Sequence, residues 1–170
     1  MTRSIKLTTA LLALCLNCFP AHRKSHRNHE RSGQAGQFDF YLLVLSWSPE
    51  FCHSKPSAAE CSQHRGFLVH GLWPQNNDGS YPSDCSTTRP APGNPSSISD
   101  IMPPEIIQHE WEKHGTCSGL SGDAYFDLIR KAFNSITIPD RFRSPSSSFT
   151  TRPKQLKQEF EKTNPKLDDS

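Results

Sequence analysis

No apolar run in this chain exceeds seven residues, Ala10 to Leu16, so nothing in it reaches the roughly 20 residues that span a bilayer. A transmembrane protein is excluded. Only 34% of the 170 residues are hydrophobic and 14 are proline, which leaves material for one modest core and argues against several domains. A surplus of charge is also missing. The net of +2 hides an uneven distribution, because Arg3, Lys6, Arg23, Lys24, Arg27 and Arg31 precede Phe38 against Glu30 alone. From Phe38 onward, 13 basic residues face 16 acidic ones. That excludes a broad basic face for nucleic acid, and a polyanion has to be held by a local site. No internal repeat is present. Nor is there an N-x-[ST] glycosylation acceptor, since Asn94 is followed by Pro95.

What is present begins with an amino-terminal pattern. Arg3 and Lys6, then the apolar stretch Leu7 to Phe19, then the small residue Ala21, follow the order of a secretory signal peptide, expected over residues 1–21. Residues His22 to Gln37 are polar and basic without aliphatic periodicity, and read as a disordered linker. Residues 38–170 then form the single domain. Within it lie Cys52, Cys61, Cys85 and Cys117, an even number that reads as two disulfides in an exported chain. Spacing leaves three pairings open. A zinc site is the rival reading, but no C-x-x-C pair occurs among these four.

Phe38 to Ser48 (FDFYLLVLSWS) is apolar nearly throughout and reads as a buried strand stopped by Pro49. A second short strand is expected at Gly66 to His70, ended by Gly71 and Pro74. Asn76 to Pro82 and Arg89 to Ser99 are rich in Pro, Gly, Asn and Ser and read as loops. Pro103 and Pro104 suit a helix start, with Glu105 to Lys113 helical and Gly115 ending it. Ser121 can cap a further helix through about Phe133, with Tyr125, Phe126, Leu128, Ile129, Ala132 and Phe133 as its apolar stripe. Arg141 to Thr150 reads as a loop and Pro153 to Lys162 as a last helix. Strands mixed with separate helices indicate an α+β fold.

The chemistry concentrates in two stretches. In FLVHGLWPQ, Phe67 to Gln75, a strand delivers His70 to a turn at Gly71, and Trp73 follows. Taken alone, His70 has an ordinary explanation as a hydrogen-bonded structural residue, and Trp73 as core. In HEWEKHGTC, His109 to Cys117, helical spacing puts Glu110, Lys113 and His114 on one face, with His109 beside Lys113. Trp111 then packs inward. A zincin needs histidines at i and i+4, whereas His109 and His114 are five apart, so a metal site fails on spacing.

These two stretches, in this order and about forty residues apart, resemble the paired active-site segments of the ribonuclease T2 family, the secreted acid ribonucleases that include the plant S-type enzymes. The resemblance extends through FDFYLLVLSWSPEFC before them and GTCSGLSGDAYFDLIRKAF after them, from about Phe38 to Pro165. It implies a central, mostly antiparallel sheet packed with helices. It also implies an endoribonuclease that cuts single-stranded RNA by attack of a ribose 2′-OH on the adjacent phosphorus, giving a 2′,3′-cyclic phosphate and then a 3′-phosphate. By position, His114 matches the general base and His70 the general acid. Histidine, with an ordinary pKa of about 6.5, serves either role at mildly acid pH. Glu110 and Lys113 match the pair that stabilises the charged phosphorane, and His109 a phosphate-binding residue. Trp73 matches a residue that stacks on the substrate base, and Tyr81 a second base-facing aromatic.

No metal and no cofactor are implied, because Lys113 and imidazolium supply the positive charge. RNA is the implied partner, with DNA left uncut, no membrane contact in the mature form, and a monomeric state. The family pattern also pairs Cys52 with Cys61 and Cys85 with Cys117. Gln75 stands where some members carry an acidic base-reading residue, which leaves base preference open. Family members usually continue past Ser170 with further strands, so the resemblance also predicts an incomplete sheet. If that spoiled the catalytic alignment, the alternative function is a secreted RNA-binding or cytotoxic protein with little or no turnover.

Overall fold

The computed structural model describes residues 5–6, 33–86, 93–147 and 149–167. All of the expected signal peptide but Ile5–Lys6, most of the expected linker and part of the loop before Ser99 lie outside the described residues. Three strands, β1 (Ile5–Lys6), β2 (Phe40–Trp47) and β3 (Phe67–Gln75), form one sheet in the order β1-β2-β3. The β2–β3 pair is antiparallel, and β1 joins the other edge of β2 in parallel, opposite Tyr41 and Leu42. Among the described residues four α-helices accompany them: α1 (Ser48–Ser54), α2 (Pro104–Lys113), α3 (Gly122–Asn134) and α4 (Pro153–Thr163). The fold is α+β.

Two expectations need correction. Pro49 does not merely stop a strand: it occupies the first turn of α1, where its missing N–H costs nothing. Nor is there a turn at Gly71, because β3 runs straight through it to Gln75. Val44 pairs with Gly71 and Leu45 with Val69, so His70 is an extra residue with no counterpart on β2. This is a β-bulge, a device that re-aims a side chain without ending the strand. Its effect shows in burial: Val69 and Leu72 are both fully buried, while His70 and Trp73 are only partly so.

The main core lies between the sheet and helices α2 and α3. Leu43, Val69 and Leu72 from the strands meet Ile107 and Trp111 of α2 and Phe126 and Ile129 of α3. Helix α3 begins at Ser121, whose hydroxyl accepts a hydrogen bond from the Ala124 N–H at 3.3 Å. Its buried residues Tyr125, Phe126, Ile129 and Ala132 follow the helical repeat. At the far end of the β2–β3 pair, Trp47 and Phe67 pack with Phe142 and Phe160. No helix among the described residues is long and apolar enough to cross a membrane.

Candidate active site

Strand and helix meet closely at Gly71, where an added Cβ would overlap Glu110 Oε2 and Trp73 Nε1. Only glycine leaves that space. On α2, Ile107 and Trp111 are four apart and pack into the core, carrying Glu110 inward until it is 1% exposed. A carboxyl buried so deeply needs polar partners. Oε2 accepts a 2.8 Å hydrogen bond from Trp73 Nε1, and Oε1 lies 3.4 Å from His70 Nε2.

His114 caps the helix, its N–H donating to the Glu110 carbonyl at 3.0 Å, and its side chain is buried. The imidazole stacks on the Trp73 ring, 4.8 Å between centroids at 20°, while His70 meets the same indole edge-on at 5.8 Å. Nδ1 of His114 is buried and has no hydrogen-bond partner among the described residues. Lys113 is half-buried and His109 exposed beside this group. Tyr81 is 48% exposed on the loop that follows β3.

Burial dominates the titration of the site. It pushes the Glu110 carboxyl up to about 7, against the opposing pull of the Trp73 N–H and the Lys113 ammonium. The same desolvation drives His114 down to about 3, helped by repulsion from Lys113, His109 and His70. His70 is lowered by burial first, then by His109 and Lys113. Lys113 therefore acts on all three groups. At neutral pH, His114 is an unprotonated base and Glu110 stands near its midpoint.

Tyr125, which the sequence presents only as part of an apolar stripe, supports the site from beneath. Its fully buried hydroxyl donates to the Leu72 carbonyl at 2.7 Å, within β3 between Gly71 and Trp73. Its ring packs on Trp111 at 5.8 Å, under Gly115, where a Cβ would overlap the Trp111 ring. Burial holds the phenol well above its ordinary pKa, so it stays a neutral donor. No local signal marks this contact, since its ends are 53 residues apart.

The carboxyl end of α2 is held from a second side. The Asp84 N–H donates to the Lys113 carbonyl at 2.9 Å, and the Cys85–Cys117 disulfide closes next to it. A further disulfide, Cys52–Cys61, joins α1 to the turn at Ala59–Gln63. Among the described residues, metal-ligand spacing is found at Cys52, Glu60 and Cys61, but both sulfurs are already spent in that bond.

Two imidazoles and a buried carboxyl thus gather around one indole, with a lysine acting on all three. The sequence model of the ribonuclease T2 family matches residues 38–164, and the chain belongs to that family. It is 46% identical over 101 residues to a ribonuclease of Aeromonas hydrophila, covering 58% of this chain and 46% of that protein. It is 38% identical over 128 residues to extracellular ribonuclease LE of Solanum lycopersicum, covering 61% and 54%. The chain thus spans about half the length of these curated relatives. In three dimensions it is similar to an RNase-related protein from Calystegia sepium, with a TM-score of 0.55 and 22% identity over 74% of this chain and 75% of that one. That likeness speaks to the fold.

Proposed function

We propose that this chain is an endoribonuclease that cleaves single-stranded RNA through the 2′-OH of the substrate. The observation that carries this reading is the placement of two imidazoles on one indole, His114 stacked on its face and His70 in a T-shaped contact with it, with Glu110 bonded to its N–H and facing His70. His114, unprotonated at working pH, takes the proton of the 2′-OH as that oxygen bonds to phosphorus. The bond from phosphorus to the 5′ oxygen breaks, and His70 delivers a proton to the departing oxygen. The product is a 2′,3′-cyclic phosphate, which water then opens to a 3′-phosphate by the reverse proton transfers.

Lys113 offsets the charge that grows on the phosphorane. Glu110, protonated below about pH 7, donates a hydrogen bond to the same oxygens. His109 orients the phosphate, and Trp73 and Tyr81 receive bases, each stack worth roughly 1–3 kcal/mol. The positive charge of the mechanism comes from this chain's own groups. Two disulfides, and the extracellular relative, support an exported protein with its catalytic domain at 38–170.

Incubation with RNA or single-stranded DNA, with and without EDTA, tests the reading. RNA fragments ending in cyclic phosphate are expected, with DNA intact because it lacks the nucleophile and with EDTA having no effect. RNA that is bound but not cut would favour the non-catalytic alternative.

A further inference from the structure

We infer that Trp73 is a positioning residue: its indole N–H holds the Glu110 carboxyl while its ring face holds the His114 imidazole, so one side chain sets the geometry of both. The inference rests on the acid–base reading above and deepens it. A base-stacking role alone does not account for the contacts observed. One face of the ring is already occupied by His114, and the N–H is committed to Glu110.

Consider what each partner would lose. With Oε2 fixed by the indole, the remaining oxygen of Glu110 is directed at His70. Without that bond the carboxyl is free to rotate about its terminal torsion, which is broad for glutamate. For His114 the backbone is held by its bond to Glu110, but Nδ1 has no hydrogen-bond partner among the described residues. The stack on Trp73 is the contact that orients the ring plane. Trp73 is itself held in the ladder, paired with Leu42 and followed by buried Pro74.

Charged neighbours act on the same groups from several elements. Glu110 faces His70 from β3, Lys113 from α2 and the Tyr125 hydroxyl from α3. His114 feels Lys113 and His109 from its own helix and His70 from the strand. The indole differs from all of them in being neutral. It therefore orients both partners at every pH, and its N–H still favours the charged form of Glu110.

The test uses the oxidised chain and the substitution Trp73→Phe, in the parent and in a Glu110→Gln background. In the parent, kcat is expected to fall about tenfold or more with KM within about threefold, and the alkaline limb of the pH profile should move. In the Glu110→Gln background the same change should cost less than about threefold, since the ionisable carboxyl that the N–H positions is gone and a phenyl face remains for His114 to stack on. A base platform alone predicts the opposite: KM rises, kcat and the pH profile stay, and the effect is equal in both backgrounds. That result overturns the inference. A readout without turnover is the Trp73 indole N–H resonance in 15N-labelled protein. It should shift with a midpoint near the Glu110 value of about 7, and the shift should vanish in Glu110→Gln. An indole resonance indifferent to pH in the parent overturns the inference as well. If the parent cuts no RNA, the catalytic reading fails by itself, and the resonance still decides whether Trp73 holds Glu110.

Discussion

Glu110 Oε1 stands 3.4 Å from His70 Nε2, and burial drives both groups toward their neutral forms. In the proposed reaction the acid belongs to this pair, which keeps a proton in mildly acid solution. His114, held down at about 3, is the unprotonated member across the indole. Cleavage should follow a bell in pH, lost on the acid side as His114 takes up a proton near 3 and on the alkaline side as His70, held below its ordinary value by burial, and then Glu110, near 7, give theirs up. Initial rates with a dinucleotide substrate from pH 2.5 to 8.5 check this. A profile centred above pH 7 would refute the assignment.

In the proposed mechanism each histidine performs a transfer that the other does not. His70→Ala and His114→Ala should each lower kcat by about 10² or more while leaving KM within a few-fold. Steady-state kinetics on the two variants decide the point, and near-normal turnover in either one removes it from the mechanism.

Glu110 links catalysis to stability. Its folded value of about 7 stands above the ordinary 4.5, so the unfolded chain releases this proton first as pH rises. The stability tied to the protonated form is complete below 4.5 and is lost as pH climbs through 7. Glu110→Gln keeps an acceptor for the Trp73 N–H and removes the ionisation. Its stability should match the parent at pH 4 and exceed it at pH 8 by about 3 kcal/mol, with a correspondingly higher melting temperature. Calorimetry at the two pH values measures this, and an offset independent of pH would contradict it.

The Cys85–Cys117 bridge spans 32 positions. Chain-entropy arithmetic for such a loop gives about 3.7 kcal/mol of stabilisation. Replacing both cysteines with alanine should lower the denaturation midpoint accordingly. It should lower kcat as well, because the loop bonded to the Lys113 carbonyl is released. Urea titration alongside kinetics tests whether the two losses occur together.

The helices were legible because their caps and stripes are local: Pro104 at the start of α2, Ser121 before α3, and the buried repeat from Tyr125 to Ala132. Helix α1 was not. It has seven residues, too few to show a stripe, and its proline reads equally well as the end of a strand. The strand through His70 was legible only as far as Gly71, because the register that carries it onward to Gln75 is supplied by β2. The residues of HEWEKHGTC stood out by type and spacing, whereas His70, Trp73 and Tyr81 were marked by the family resemblance. What joins them did not: the bond from Trp73 to Glu110 crosses 37 residues and that from Tyr125 to Leu72 crosses 53, and no local pattern encodes either.

The extra residue at His70 has one more consequence. Side chains of a strand alternate with a period of two, so inserting a residue inverts the phase of everything that follows. Before the bulge Val69 points into the core, and after it Leu72 does, three positions on rather than two or four. The same sequence paired without the bulge would exchange the roles of its residues, sending the Trp73 indole into the apolar interior and Leu72 out of it. The site is thus a phase slip written into an otherwise regular hairpin: the same sequence laid on the ladder in unbroken register would keep every one of these side chains and lose their arrangement.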